Sequence, residues 1–539
     1  MIRQNALALW AKPKTITLLA LGALGLWLGF PNDLISLPIL VLFWPLALFL
    51  LGTSATSLRS AYLLGFASNA LGMSLVLYWL YFPIHDVGGL PGFGAAFCAL
   101  CVALAYAAIM AIFPASLYLV KKLSQFKLAF FAATIWAGLE IFLDQIAGFP
   151  WLTLAGALVV WPSLVQTAAL CSQFGTSFLW LLALSFLLTP LRPIFEQSLL
   201  PSKTKLLHLG LGALLVGALA CFGIFQLANY PFNHPPAHAQ SLDVLFVEGN
   251  FDQSLKWRPS LQRQTLESYL SLTTKALAKS SKKPLVIWPE TALPFFFERS
   301  PLLAGFVRDL AKQKQIPLLF GTPGTTFLPP RDGSPSPVYN RAILLGPDGS
   351  TLGQYDKEHL VPFGEYLPHF FHFSFLEPLL QEIGGYTEGQ KSGTLDYAGM
   401  KAGLLICYEG IFPELAYARV ASGANILIDL SNDAWFAKTP AQRQHLYLTC
   451  VRAIEQKRYI LRGTNSGISA VIDFCGRITQ RGPLFQQGTL TACAYLIHEH
   501  SPLFLSWTKL CYLFLIFLGL ALLILGTSLR QEKLKALNA

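Results

Sequence analysis

The chain has 539 residues, of which 54% are hydrophobic and only 13% charged, with a mean hydropathy of +0.50 and a formal net charge of +10. That composition excludes an ordinary soluble enzyme and calls for a search for membrane spans before any count of domains. Nine cysteines, an odd number with five of them inside apolar runs, exclude a disulfide framework.

Apolar runs able to cross a ~30 Å hydrocarbon core occur at about 15–31, 35–52, 61–82, 93–120, 128–145, 166–189 and 206–228, and once more at about 503–527. The first run follows Arg3, Lys12 and Lys14 as a signal peptide would. No small-residue cleavage site follows it and further spans come directly after, so a retained helix is expected. Cys98 and Cys101 form a CxxC inside a continuous apolar run, where helix packing outweighs zinc or redox chemistry.

Basic residues mark alternate loops. Arg59, then Lys121, Lys122 and Lys127, then Arg192, Lys203 and Lys205 lie between spans on one side, and Arg530, Lys533 and Lys535 follow the last span. The other loops, near 31–34, 83–91 and 145–161, contain no lysine or arginine. The positive-inside rule then makes both termini cytoplasmic. Seven spans before residue 229 put residues 230–502 on the outer face. Much of the basic excess is therefore topological, and a nucleic-acid partner loses its support.

The outer segment has a different texture. Short apolar runs rich in strand formers, at 242–247, 285–288, 317–320, 340–345, 401–406 and 425–430, alternate with helix-like stretches at 261–279, 302–314, 412–421 and 442–461. That alternation predicts an α/β domain with a helix-covered sheet, entered through a proline-bearing linker at 230–239. Three domains follow: 1–229 with seven spans, 230–502 outside the membrane, and 503–539 with a last span and a cytoplasmic tail.

Three strand ends in the outer segment carry reactive groups. Val286-Ile-Trp-Pro-Glu290 ends on a carboxylate, Tyr355-Asp-Lys-Glu-His359 carries an amine, and Gly403-Leu-Leu-Ile-Cys407 ends on a thiol beside Tyr408 and Glu409. Such groups at strand ends can converge on one edge of an open α/β sheet. A thiol with an ordinary pKa near 8.5 needs a base or cation to supply thiolate at neutrality. Glu290 is the candidate base, and Lys357 the candidate stabiliser of an oxyanion formed when Cys407 attacks a carbonyl. Taken singly, each has a bland reading: a buried apolar thiol, a solvated carboxylate, a surface lysine. His359 and, more weakly, His445 compete with Glu290 as the base for Cys407.

The ordered set resembles the Glu-Lys-Cys triad of the nitrilase, or carbon–nitrogen hydrolase, superfamily. Together with the spans it is similar to the apolipoprotein N-acyltransferase family across nearly the whole chain. The likeness rests on Val247-Glu-Gly-Asn250 with Ser254-Leu-Lys-Trp257, Trp288-Pro-Glu-Thr291, His359-Leu-Val-Pro-Phe-Gly-Glu-Tyr366, Cys407-Tyr-Glu409 and Asn432-Asp-Ala-Trp-Phe436. In the membrane part it rests on Gly88-Gly-Leu-Pro-Gly92 and Gly148-Phe-Pro-Trp151.

The resemblance implies a polytopic α-helical membrane domain of about eight spans plus an extramembrane nitrilase-like α-β-β-α sandwich. It implies Glu290 as general base, Lys357 as transition-state stabiliser and Cys407 as nucleophile, supported by Glu365 beside Lys357, by Tyr408 and Glu409, and by Trp257 on a nearby loop. The implied reaction is ping-pong. Cys407 takes the sn-1 acyl chain of a phospholipid, commonly phosphatidylethanolamine, as a thioester, and the α-amino group of a diacylglyceryl-cysteine at a lipoprotein N-terminus then takes it as an amide. The implied setting is a bacterial inner membrane with a periplasmic catalytic domain and a monomeric enzyme needing neither cofactor nor metal.

A thioester must be kept from water, and Pro294-Phe-Phe-Phe297 and His369-Phe-Phe-His-Phe-Ser-Phe-Leu376 offer apolar cover, with packing against the protein's own membrane helices as the equal alternative. Glu140, inside a span, requires a partner or a polar cavity. It matches a family glutamate, but the arginine that often follows is absent from Glu140-Ile-Phe-Leu-Asp144. Two other functions compete: a membrane-anchored amidase using water as second acceptor, and a transporter with a ligand-binding outer domain, which the scarcity of ionisable residues in the spans disfavours.

Overall fold

A computed structural model of the chain describes residues 13–35, 37–188, 202–230, 239–252, 258–279, 282–326, 336–366, 385–390, 393–498, 517, 518 and 520. Two compact units emerge, one from segments 1–78, 97–229 and 503–539, the other from 79–96 and 230–502.

The first unit is helical: α1 (Pro13–Gly29), α2 (Phe43–Ser54), α3 (Leu58–Val76), α4 (Gly92–Met110), α5 (Ile112–Val120), α6 (Gln125–Gln145), α7 (Leu154–Leu158), α8 (Ala168–Leu187) and α9 (Ser202–Asn229). Among the described residues four helical spans are long and apolar enough to cross a membrane: Gly92–Val120, Gln125–Gln145, Ala168–Leu187 and Lys203–Asn229. A fifth arises if Leu58–Val76 and Tyr78–Val87, bent by 55°, are one span. The first two expected spans form apolar helices, Pro13–Gly29 and Pro38–Ser54, that fall short of the ~20 residues a straight crossing takes. The expected span at 503–527 lies outside the described residues except at 517, 518 and 520. The run at 61–82, expected as one helix, breaks at Leu77, and Trp79–Ala96 group with the second unit, where the Trp79 ring meets Phe436 edge-on at 5.0 Å.

Large rings fill the helix bundle. Trp136 takes Trp44 and Phe113 edge-on at 4.7 and 5.0 Å. Glu140 is fully buried and accepts from Trp136 Nε1 at 2.9 Å and from the Leu154 backbone N–H at 3.0 Å, so it satisfies the first turn of α7. The flagged intramembrane carboxyl thus has structural partners.

The second unit is built on two six-stranded sheets. The first runs β12-β1-β2-β3-β4-β5 and the second β11-β10-β9-β8-β7-β6. Its strands are β1 (Gln240–Glu248), β2 (Leu285–Ile287), β3 (Leu318–Thr325), β4 (Val338–Leu345), β5 (Thr351–Asp356), β6 (Leu395–Tyr397), β7 (Met400–Ile406), β8 (Ile426–Ser431), β9 (Ile460–Thr464), β10 (Ala470–Ile472), β11 (Ile478–Arg481) and β12 (Gly488–Leu496). Each sheet has a parallel centre, β1-β2-β3 in one and β7-β8-β9 in the other, flanked by antiparallel strands.

Strand alternation separates two layers. Leu245, Val247, Val286, Trp288, Leu318 and Phe320 pack with Leu266 and Tyr269 of α10 (Pro259–Leu277) and with Ala304, Val307 and Leu310 of α11 (Pro301–Lys314). The intervening Phe246 and Ile287 face the other sheet, where a Cβ on Gly463 of β9 would come within 2.9 Å of Ile287. On the second sheet's side stand α12 (Pro413–Ala421) and α13 (Ala441–Gln456). All six expected strands form. The helix expected over 442–461 stops at Gln456, because Lys457 turns left-handed (φ 49°) and the following apolar residues enter β9 as a fully buried strand without alternation.

Candidate active site

Glu290 owes its position to a turn stitched across β2 and β3. The Gly321 N–H donates to the Pro289 carbonyl (3.2 Å), and Leu293 N–H to the Gly321 carbonyl (3.1 Å). Thr291 takes φ 45° to make the bend. A Cβ at Gly321 would lie 2.5 Å from Thr291 N and 2.8 Å from Glu290 Cα, so only glycine lets the turn close on the strand.

Lys357 follows β5, its N–H donating to the Asn340 carbonyl at 2.9 Å. Its Nζ lies 3.0 and 2.9 Å from the two oxygens of Glu365 and 3.9 Å from Glu290 Oε1. Glu365 also accepts from Val361 N–H at 2.8 Å. Between the carboxylates stands Asn340, at the start of β4, whose Nδ2 donates to Glu290 at 2.7 Å and to Glu365 at 2.8 Å. Carboxylates only accept, so the amide nitrogen has to face them. Glu290, Asn340, Lys357 and Glu365 are 6%, 3%, 1% and 5% exposed, which makes each missing hydrogen bond costly. Burial works to lower the Lys357 pKa, but the charges of Glu365 and then Glu290 outweigh it and hold the ammonium above its ordinary range.

Cys407 sits where β7 ends in a short helical turn, with φ 56°. A left-handed conformation at a non-glycine residue costs of order 1–3 kcal/mol. Two contacts hold it: His445 Nε2 lies 3.1 Å from the Cys407 carbonyl, and Ile406 N–H donates to Glu409 at 2.7 Å. Burial and the Glu290 charge push the thiol well above its ordinary pKa, against the pull of Lys357. Near neutral pH the group is a thiol, so any attack by its sulfur would need a base to take the proton.

The remaining expected residues are distributed as follows. Glu409 is fully buried and accepts from the N–H groups of Glu358 (2.7 Å) and His359 (2.9 Å), tying the Lys357 turn to the Cys407 turn. Burial pushes its carboxyl up to about 7 against the pull of Lys357 and Arg419. The Tyr408 ring meets Phe412 at 4.9 Å and His359 at 5.9 Å. The His359 ring lies 4.1 Å from that of Phe412, tilted by 41°, and burial followed by Lys357 lowers it to about 4, so it is neutral there. His445 faces Asp433 at 3.0 Å and the Cys407 carbonyl, and it anchors the backbone of the turn. Of the two apolar stretches considered as cover, the first contributes Phe295 and Phe297 to the second unit's own core under α11, which neither expectation named; the second lies outside the described residues, as does Trp257.

Sequence reasoning passed over Asn340, Tyr355 and Arg419. Asn340 had a signal, an amide that with Arg341 heads the apolar run 342–345, but nothing along the chain indicates which side chains it will meet.

Residues 253–494 match the carbon–nitrogen hydrolase family, and residues 22–186 match the N-terminal domain of apolipoprotein N-acyltransferase. An apolipoprotein N-acyltransferase of Geobacter metallireducens is 34% identical, covering 86% of both chains. Those of Azotobacter vinelandii and Nitrosomonas europaea are 32% and 28% identical, covering 97% and 86% of this chain and 96% and 87% of their own. Family matches in both halves and relatives that align almost end to end lead to one conclusion: the chain belongs to the apolipoprotein N-acyltransferase family, within the carbon–nitrogen hydrolases.

Proposed function

We propose that this protein is a membrane-integrated N-acyltransferase that moves an acyl chain from a phospholipid to the N-terminal amino group of a diacylglyceryl-cysteine lipoprotein. The observation that carries the chemical reading is the buried group of Glu290, Asn340, Lys357 and Glu365, of which Glu290 and Lys357 act by charge on the Cys407 thiol at the end of β7.

In this reading Glu290 takes the Cys407 proton as the sulfur attacks the sn-1 ester carbonyl. Lys357 faces the developing oxyanion, and Glu365 and Asn340 keep the ammonium and the base in place. Collapse breaks the ester C–O bond, the lysophospholipid oxygen leaves with the proton held by Glu290, and an acyl-thioester remains. The lipoprotein amine then attacks the thioester, gives its proton to Glu290, and departs as an amide while Cys407 is restored. Trp257, Tyr408 and Glu409 support the site, and phosphatidylethanolamine is the proposed donor. Domains 1–229, 230–502 and 503–539 contribute seven spans, a periplasmic catalytic domain and an eighth span, in an inner membrane, with one chain sufficient for activity. Both substrates are anchored by acyl chains, so a site at the membrane surface meets them by lateral diffusion.

Incubating purified enzyme with phospholipid and a diacylated lipopeptide tests the proposal. Triacylated peptide and a thioester trapped on Cys407, absent in Cys407→Ser, are the expected products. Free fatty acid alone would make the protein an amidase-like hydrolase, and undiminished transfer by Cys407→Ser would remove the nucleophile.

A further inference from the structure

Lys357 and Cys407 hang from different sheets. Lys357 follows β5, at the end of one sheet, and Cys407 follows β7 in the other, so no backbone ladder fixes the gap between them. We infer that Arg419, on α12, is a positioning residue that holds the Lys357 turn against the Cys407 strand through Tyr355, Glu358 and Glu409.

The guanidinium is 2% exposed and reaches both sides. Its Nε donates to the Leu404 carbonyl of β7 at 2.8 Å. One terminal nitrogen donates to Tyr355 Oη of β5 at 2.7 Å and pairs with Glu358, next to Lys357, at 2.9 Å. The same guanidinium lies over the Tyr355 ring, 4.8 Å from its centroid. Tyr355 in turn donates its hydroxyl proton to Glu409, 2.8–2.9 Å away, and Glu409 accepts the N–H groups of Glu358, His359 and Ile406. One cation thus bonds the backbone of the nucleophile strand, the last turn of β5 and the residue after Lys357.

Burying such a charge brings little net stability, since a well-packed apolar replacement is often as good. Its worth lies in register. A buried carboxyl accepts three N–H groups and a hydroxyl only as a carboxylate. The charged groups facing Glu409 are Lys357 and Arg419, and both pull its pKa down. With Arg419 in place Glu409 titrates at about 7; without that pull its pKa rises further, the carboxyl stays protonated at neutral pH, its acceptor sites fall in number, and the Lys357 turn loosens from β7. Lys357 then acts less strongly on Cys407.

The inference rests on Cys407 as nucleophile with Lys357 as its cation, so its test reads the thiol directly and does not depend on which acyl acceptor is used. Full-length enzyme in detergent is alkylated with iodoacetamide from about pH 6 to about pH 10, following the Cys407 peptide by mass spectrometry. In Arg419→Gln the alkylation midpoint is expected to rise so that the rate near neutrality falls about tenfold, and acyl-transfer kcat is expected to drop at least about 30-fold with KM within about threefold. Arg419→Lys keeps the charge and should recover much of both. An unchanged alkylation profile in a folded Arg419→Gln enzyme overturns the inference, whether activity is kept or lost, because loss without a shifted thiol is general damage. Should Arg419→Gln fail to fold, Tyr355→Phe removes only the hydroxyl between Arg419 and Glu409. A smaller shift in the same direction supports the inference, and none refutes it.

Discussion

Asn340→Asp is the sharpest perturbation of the site because it exchanges one NH2 for one oxygen at constant volume. The Asn340 amide bridges two carboxylates that both need Lys357, at 2.7 and 2.8 Å. The change removes two N–H bonds to carboxylates, each worth about 1.5–3 kcal/mol. It also places a third carboxyl beside Glu290 and Glu365 with a single ammonium for all three. Two like charges ~4 Å apart at an effective dielectric of ~20 repel by about 4 kcal/mol. That repulsion is about three pH units of proton affinity, so the cluster keeps an extra proton at neutral pH. While that proton occupies the cluster, Glu290 cannot take the one on Cys407.

The expected result is at least a ~100-fold loss of acyl transfer near pH 7.5, with an acid limb of the pH–rate profile moved upward by about one unit or more. Activity should therefore recover in part as pH rises. Asn340→Ala loses the same bonds without adding charge, so its rate should fall and its acid limb should move up less far than that of Asn340→Asp. The assay is formation of triacylated lipopeptide from phospholipid in mixed micelles, measured across pH for both variants. A wild-type rate and profile in Asn340→Asp, or identical profiles in the two variants, would refute the argument that Asn340 separates the two carboxylates.

The backbone contact at Gly321 predicts that Gly321→Ala displaces Glu290 and lowers kcat by about 100-fold in a protein of unchanged helix content by circular dichroism. A variant within a few-fold of wild type would show that the Glu290 turn tolerates the shift. His359, lowered to about 4 and packed against the Phe412 ring, should be dispensable for proton transfer, so His359→Gln keeps the pH–rate profile; loss of its acid limb would make the imidazole the base. Glu248 ends β1 almost fully buried, and burial raises it to about 7 against a weaker opposing pull from Ser469. A raised carboxyl contributes stability below its unfolded pKa of about 4.5 and loses it as pH climbs through the folded value, a swing of about 3 kcal/mol. Glu248→Gln should therefore flatten the fall in melting temperature between about pH 4.5 and pH 8 in part, because Glu409 has the same upward shift and remains. An identical slope in the variant would count against a buried, proton-holding Glu248.

Several features could be read along the chain because each depends on neighbours in sequence. The six apolar strands and the turn residues after β2, β5 and β7 follow from local pattern, and Glu290, Lys357 and Cys407 were legible as strand-end groups. The error at 442–461 has the same root. A buried parallel strand lacks alternation, so Tyr459-Ile-Leu461 looks like the continuation of an apolar helix until β8 is there to pair with it. The break at Leu77 was hidden likewise, because hydropathy registers that Trp79 is apolar and says nothing of the ring of Phe436.

What the amino-acid order alone determined is the division into an apolar helical part and an α/β part, and the chemistry available at three strand ends. These are one-dimensional properties: the length of an apolar run, the period of a strand, the residue that follows it. Only the tertiary structure decided that Asn340 stands between Glu290 and Glu365, that Glu409 reaches back to the N–H groups of Glu358 and His359, and that Arg419 bonds two sheets at once. Glu290 and Lys357 belong to one sheet and Cys407 to the other. Their meeting depends on how two layers stack, and stacking is set by side chains far apart in sequence, such as Ile287 against Gly463.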